Sequence, residues 1–275
     1  MRENLSAARA AELLMQKDNI TLLCHRRPDG DTVGSAFALY YALRELGKEV
    51  RVLCADALPK QYDYLYGDYT PSRVLDWPVE YVVAVDVATA GMLGGLEEKY
   101  GHMVDLCIDH HVSNKGYALT NIIDGDASSA CEVICRLLDM EKVSRDAASA
   151  LYMGIAHDTG VFQYSCTSPD TMRLAAALME KQIPYTDILE ETFYKKTYRQ
   201  NQVLGKALLE SMRLLDGKCI VSVMRQKDMD FFGVTTTDLD GIVSQLRLTR
   251  GVEVAIFIYE LETQSFKVSL RSNGR

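Results

Sequence analysis

Four short apolar runs, alternating with helical patterns, constrain this 275-residue chain more than any other feature. They are "ITLLCH" (residues 20–25), "EVRVLCA", "EYVVAVD" and "VDLCIDHH". Each has the length of a buried strand, and three of them end in acids or histidines. The helical patterns carry the expected punctuation. "SAFALYYALRELG" ends on Gly47, a C-cap signal, "SRDAASALYMGIAHDTG" follows Ser144, a good N-cap, and "TSPDTMRLAAALMEKQ" opens with Ser-Pro. "SACEVICRLLDM" is a further helical segment. Strands alternating with helices predict βαβ units, hence an α/β fold with a mostly parallel sheet flanked by helices.

The later part of the chain reads differently. Residues 184–215 are rich in Lys, Arg, Gln and Tyr and predict a connecting helix pair. Beyond them "KCIVSVM" predicts a strand, "TTTDLDGIVSQLRLTRG" a capped helix, and "VEVAIFIYELETQSFKVSLRS" a hairpin turning near Thr263–Gln264. The expected organisation is a catalytic unit over 1–183, a helical linker over 184–215 and a smaller α/β unit over 216–275.

Composition excludes several classes. No apolar run reaches the roughly 20 residues of a membrane helix, and the N-terminus reads as an amphipathic helix without a cleavage site, so cytoplasm is expected. Seven cysteines without a CxxC pair argue against a disulfide framework or a thiolate zinc site. Residues 195–275 hold 13 Lys and Arg against 9 Asp and Glu, a charge of +4, whereas the rest holds 17 against 29, a charge of −12. So acidic a first part does not hold long nucleic acid by counterion release.

In an open α/β sheet, ligands bind beyond the carboxyl ends of the strands. His25 with Asp29 and Asp31, then Asp86, then Asp109, His110 and His111 all fall at such ends, and His157-Asp158 ends a helix. Four of the five histidines lie in these clusters. Taken singly, each has an ordinary reading as turn, cap or polar loop. An acid at a helix C-terminus such as Asp158 is electrostatically disfavoured unless positive charge lies nearby, and the coincidence of all four points to metal. Carboxylates and imidazoles without thiolate suit Mn²⁺ or a similar divalent ion. They exceed the needs of one ion, and two ions about 3.5–4 Å apart around a shared carboxylate suit in-line attack on phosphate. No strand–Ser–helix elbow, Walker motif or GxGxxG is present.

"HRRPDGDTVGS", "VVAVD", "IDHHVSN" and "GIAHDTGVF" resemble, in order and spacing, the four motifs of the DHH phosphoesterase superfamily, over roughly residues 15–180. Within it the chain most resembles the cytoplasmic oligoribonucleases that are also phosphatases of 3′-phosphoadenosine-5′-phosphate (pAp), and "NIIDGDASSACEVI" adds to the likeness. The resemblance implies one Mn²⁺ on His25, Asp29 and Asp86 and a second on Asp31, Asp86, His110 and Asp158, with Asp86 bridging and Mg²⁺ or Co²⁺ as possible substitutes. Neighbours on an extended chain point opposite ways. The resemblance accordingly makes His111 a phosphate-side residue and Asp109 its orienting partner, with a hydroxide shared by the two ions as nucleophile.

The same resemblance gives "FKVSLRSNGR" to a substrate-binding unit, with Arg271 and Ser272 gripping a short RNA oligonucleotide or a mononucleotide bisphosphate. The glycine-rich "GGGH"-type loop that follows in the family is not in this sequence, which places the departure at substrate binding. Two other readings stay open: an inorganic pyrophosphatase of the same superfamily, and a metal- and nucleotide-binding protein with little turnover. A homodimer is expected on general grounds.

Overall fold

The computed structural model describes residues 3–67, 69, 78–262 and 264–273. The chain divides into two compact units, Met1–Tyr194 and Lys195–Arg275. In the first unit the elements run β1 (Glu3–Asn4), α1 (Ala7–Gln16), β2 (Ile20–Leu23), α2 (Gly30–Glu45), β3 (Val50–Leu53), α3 (Asp63–Tyr66), β4 (Tyr81–Val85) and α4 (Glu97–Tyr100). β5 (Leu106–Asp109), β6 (Thr120–Ile123), α5 (Ala130–Cys135), α6 (Arg145–Asp158), α7 (Pro169–Met179) and α8 (Tyr185–Leu189) complete it.

The six strands form one sheet in the order β1-β6-β5-β4-β2-β3, parallel at every pairing. The apolar runs explain this. Every residue of β2, β3, β4 and β5 is buried, as parallel strands covered on both faces require. Alternate residues feed two cores. Leu22, Val83, Val85 and Ile108 pack with α2 and α6, whereas Leu23, Val82, Ala84 and Cys107 pack with Leu93 and Tyr100 on the other face. Strand β6 is the element the sequence conceals: "TNII" opens on polar residues and has no apolar run, and its partners on β5 hold it in the sheet.

Expected caps are in place. Ser144 Oγ accepts from Ala147 N, and Ser168 and Thr171 form a capping box at the start of α7. Helices α2, α5 and α6 approach closely because α2 and α6 carry glycine at the crossings. A Cβ on Gly34 would stand 2.5 Å from the Ala150 carbonyl oxygen, and one on Gly154 2.2 Å from Cys131 Sγ. The chain leaves β2 toward β3 on one side and β4 toward β5 on the other, so the sheet's switch point lies between β2 and β4. No described helix is long and apolar enough to cross a membrane.

The second unit holds α9 (Tyr198–Leu209), β7 (Met212–Leu214), β8 (Cys219–Met224), α10 (Gln226–Phe232), α11 (Ile242–Arg247), β9 (Val254–Glu262) and β10 (Ser265–Ser272). Its sheet runs β10-β9-β8-β7, with only β8 and β9 parallel. Ile220, Met224, Ala255 and Phe257 form a core with Val203, Met229 and Leu246 of the helices.

The stretch 184–215 is not one helical connection. It contains α8, a π-helical turn (Glu190–Tyr194), the division between the units, α9 and β7. Met212–Leu214 is extended because pairing with Cys219–Val221 across a left-handed turn at Leu215 and Asp216 overrides its local propensity. The segment from Thr235 is likewise a 3₁₀ turn (Thr236–Leu239) followed by the short α11, not one helix. The hairpin is present, with Gln264 left-handed at its turn and Thr263 outside the described residues.

Candidate metal centre

His25 lies two residues past the end of β2. Its Nδ1 lies 2.8 Å from the Arg26 carbonyl oxygen, which turns Nε2 toward Asp29 Oδ1 at 3.5 Å and Asp86 Oδ2 at 3.4 Å. Thr32 ties this strand end to the next, because its hydroxyl donates to the Val85 carbonyl at 2.9 Å and accepts from His25 N at 3.4 Å. Asp29 also caps α2, with Oδ1 accepting from Asp31 N and Thr32 N. Asp86 ends β4 with φ at +57°, a left-handed conformation that a non-glycine residue holds only where its surroundings impose it. Its N–H stays bonded to the Ile108 carbonyl while its side chain, 3% exposed, points toward His25 and His110 at the ends of the neighbouring strands.

The other oxygen of Asp86 faces a second group. Oδ1 lies 3.6 Å from His110 Nε2, and that nitrogen lies 3.2 Å from Asp158 Oδ2 and 3.8 Å from Asp31 Oδ2. Asp31 is fully buried and accepts from Ala130 N and Cys131 N in the first turn of α5. Asp158 is the last residue of α6, at the negative end of the helix dipole. Potential ligand atoms therefore gather in overlapping groups: His25, Asp29 and Asp86; Asp31, His110 and Asp158; Asp86, His110 and His111; and Asp29, His157 and Asp158.

Several of these separations are long for hydrogen bonds. They match the roughly 3–3.5 Å between two ligands that each stand about 2.1 Å from one ion. Among the described residues, Asp86 Oδ1 and His110 Nε2 are moreover buried without a hydrogen-bond partner, a costly state that a divalent cation would relieve. The donor set, oxygen and imidazole nitrogen without sulfur, fits a hard or borderline ion.

The electrostatics agree. Burial, the largest influence on His25, favours its neutral form, yet the carboxylates of Asp29 and Asp86 beside it raise it to about 10. His110 is raised to about 10 in the same way, against burial, by Asp158, Asp31 and Asp86. Burial pushes the Asp86 carboxyl up to about 6, helped by Asp29 and Asp158, and Asp31 is raised by burial and by Asp86 and Asp158. Asp158, despite burial, is drawn down to about 2 by His110 and His157. Acids this crowded require positive charge, and without an ion protonated imidazoles supply it.

Asp109 is fully buried and holds the loop after β5. Its Oδ1 accepts from His110 N at 2.9 Å and lies 2.8 Å from His111 Nδ1, and its Oδ2 accepts from Asn114 Nδ2 at 2.6 Å. The His111 ring is held by Asp109 with its other edge toward solvent, its side chain 38% exposed. The structure thus brings together His25, Asp29, Asp31, Asp86, His110 and Asp158, with Asp109 and His111 beside them. Arg271 and Ser272 belong to the second unit. They are exposed at the end of β10, where Arg271 lines a recess of about 370 Å³ with Lys267, Tyr259 and Ser244. Sequence reasoning placed His157 in one of the four clusters but assigned it to neither ion; its Nδ1 lies 3.2 Å from Asp158 Oδ1 and its ring would collide with a Cβ on Gly30. It gave no role to Asn114, although the motif "IDHHVSN" contains it.

Residues 19–155 match the DHH family, N-terminal domain. The bifunctional oligoribonuclease and PAP phosphatase NrnA of Thermus thermophilus is 27% identical over 262 residues, covering 93% of this chain and 76% of that protein. The protein of the same name from Bacillus subtilis is 26% identical over 265 residues, covering 94% and 82%. Among solved structures, an exopolyphosphatase-related protein from Bacteroides fragilis has a TM-score of 0.88 at 22% identity, covering 98% of this chain and 83% of that one. A putative family II inorganic pyrophosphatase from Methanococcus jannaschii has a TM-score of 0.53 at 16% identity, covering 92% and 87%. These two likenesses are likenesses of fold.

Proposed function

The chain belongs to the DHH family, and we propose that it is a phosphoesterase, dependent on two divalent ions, that hydrolyses short oligoribonucleotides and pAp. The observation that carries this reading is the position of Asp86. One carboxylate oxygen faces His25 and the other faces His110, so one side chain serves two ligand groups. In this reading His25, Asp29 and Asp86 hold one ion, and Asp31, Asp86, His110 and Asp158 hold the other. When bound, the ions supply Lewis acidity to a phosphate oxygen and lower the pKa of water. Manganese is the proposed ion, because the donors are carboxylates and imidazoles.

The residues around the ions do the rest. The Arg26 carbonyl fixes the His25 tautomer with Nε2 inward. Asp109 holds His111 by Nδ1, which leaves the Nε2 edge of that half-exposed ring to donate to a substrate phosphate oxygen. The hydrogen bond that His111 Nδ1 donates to Asp109 raises the basicity of His111, so the ring is charged over a wider pH range and suits an anion. Arg271 and Ser272 are the proposed grip on the nucleotide, Arg271 through its paired donors. The NrnA relatives, matched over most of this chain, support the choice of substrates. Turnover of pAp, a diribonucleotide and pyrophosphate, each with Mn²⁺, tests the reading. Hydrolysis of the first two is expected. Hydrolysis of pyrophosphate alone assigns a pyrophosphatase, and binding without turnover assigns a non-catalytic protein.

A further inference from the structure

We infer that Glu132 is a positioning residue for the ligand group of Asp31, His110 and Asp158, acting through the turn at residues 127–131. Two of those three side chains are held by backbone atoms of this turn. The Asp31 carboxylate accepts from Ala130 N at 2.6 Å and Cys131 N at 3.0 Å, and His110 Nδ1 lies 3.4 Å from the Ala127 carbonyl oxygen. The placement of Asp31 and His110 is thus as good as the placement of the turn.

Helix α5, which begins in the turn, is six residues long and too short to be stable alone. Its N-cap Ser129 accepts from Glu132 N at 3.0 Å, its apolar residues pack in the core, and the Glu132 side chain adds a polar anchorage to the turn itself. That side chain is 1% exposed and has each oxygen engaged. Its Oε2 accepts from Ser128 N at 3.2 Å, Ser128 Oγ at 2.6 Å and Thr171 Oγ1 at 2.8 Å, and Oε1 accepts from Arg136 Nη2 at 2.6 Å. Arg136 bonds in turn to Asp124, just past β6. One carboxylate therefore fixes the turn to α7 directly and to the end of β6 through Arg136. A buried carboxylate is tolerated only where it is fully bonded, so any shift of the turn costs several bonds together.

The first ligand group makes none of these contacts. His25 is set by the Arg26 carbonyl and Thr32, Asp29 by the start of α2, and Asp86 by the Ile108 carbonyl. A defect at Glu132 should therefore reach one ion and spare the other. A purely structural role would lower stability without distinguishing them.

The inference rests on the two-ion reading, and the full chain titrated with Mn²⁺ alone separates the two. Calorimetry and electron paramagnetic resonance of wild type, Glu132→Ala and Glu132→Gln are compared below their melting temperatures. In Glu132→Ala the second binding step should weaken by about 10–100-fold, as for loss of an outer-shell partner, with the first step within about 2-fold. The resonance signature of coupled manganese ions should be lost at concentrations that saturate wild type. Glu132→Gln, which keeps an acceptor for Ser128 and Thr171, should recover much of the second step, weakened by roughly 3-fold. An unchanged second step, or equal weakening of both steps, overturns the inference. If Glu132→Ala does not fold, Glu132→Gln decides by the same criterion. Wild type that binds fewer than two ions overturns the two-ion reading instead.

Discussion

Replacing Asp86 by Asn changes the side chain whose two oxygens face His25 and His110. The carboxylate offers Oδ2 to His25 at 3.4 Å and Oδ1 to His110 at 3.6 Å. An amide keeps one acceptor oxygen and presents an NH₂ with no available lone pair on the other side, so in either orientation one group loses its shared ligand. It also removes a negative charge from between the two ions. We expect Mn²⁺ stoichiometry to fall from two to one at micromolar metal. We expect kcat for a small phosphodiester to fall by at least ~10³-fold, about 4 kcal/mol of barrier. Asp29→Asn alters a residue that is partly exposed and is assigned to the first ion alone, so its loss should be smaller, about 10–100-fold. Without metal the sign reverses. Burial raises the Asp86 carboxyl to about 6, so ionised Asp86 costs stability above that pH, and the cost vanishes below its unfolded value near 4. At pH 8 the metal-free variant should then be more stable than wild type, by on the order of 2 kcal/mol. Calorimetric titration, steady-state kinetics and thermal melts with and without chelator measure all three quantities. An Asp86→Asn protein with two ions and near-normal turnover would refute the bridging assignment, and a metal-free variant less stable than wild type at pH 8 would refute the charge argument.

Because His25 and His110 are raised to about 10, metal must displace their protons at neutral pH, so apparent Mn²⁺ affinity should climb as pH rises from 6 to 9. Titration at pH 7.5 in buffers of different ionisation enthalpy should show net release of about one to two protons, and zero release would contradict the raised values. Asp109→Asn leaves one acceptor oxygen for two donors, His111 Nδ1 and Asn114 Nδ2, and removes the charge beside His111, so it should reduce kcat/KM by about 10–100-fold with two ions still bound; loss of an ion would make Asp109 a ligand instead. Gly34→Ala would put a methyl 2.5 Å from the Ala150 carbonyl oxygen, so α2 and α6 must separate, at a cost of about 1–3 kcal/mol or more in denaturant unfolding. A shift under about 0.5 kcal/mol would show that the crossing can yield.

Much of the architecture is written in local pattern. β2, β3, β4 and β5 are legible because a strand buried on both faces must be continuously apolar, and each run stops where the chain leaves the core. Caps such as Ser144 and Ser168 are legible because the first amides of a helix need acceptors within three residues. The residues of the candidate centre could be nominated from the same runs, because side chains at the carboxyl ends of parallel strands share one rim of the sheet. What pattern could not contain is every relation between distant positions. That Asp86 turns left-handed and offers its oxygens to two separate groups follows from the packing of β4 between β2 and β5. That Asp31 is held by amides a hundred residues away, at the start of α5, follows from the close approach of α2 to α5, where a Cβ on Gly34 would stand 3.1 Å from Cys131 Sγ. Strand β6 and strand β7 exist because neighbouring strands supply their hydrogen bonds, and neither has a periodicity of its own. Glu132 lay within the sequence motif, yet reads there as one more helical acid; only burial against Ser128, Thr171 and Arg136 makes its charge a structural anchor. Local composition determined which chemistry the chain could assemble, and tertiary contact, which brings residues 25, 86, 110 and 158 within a few ångströms, decided where that chemistry converges.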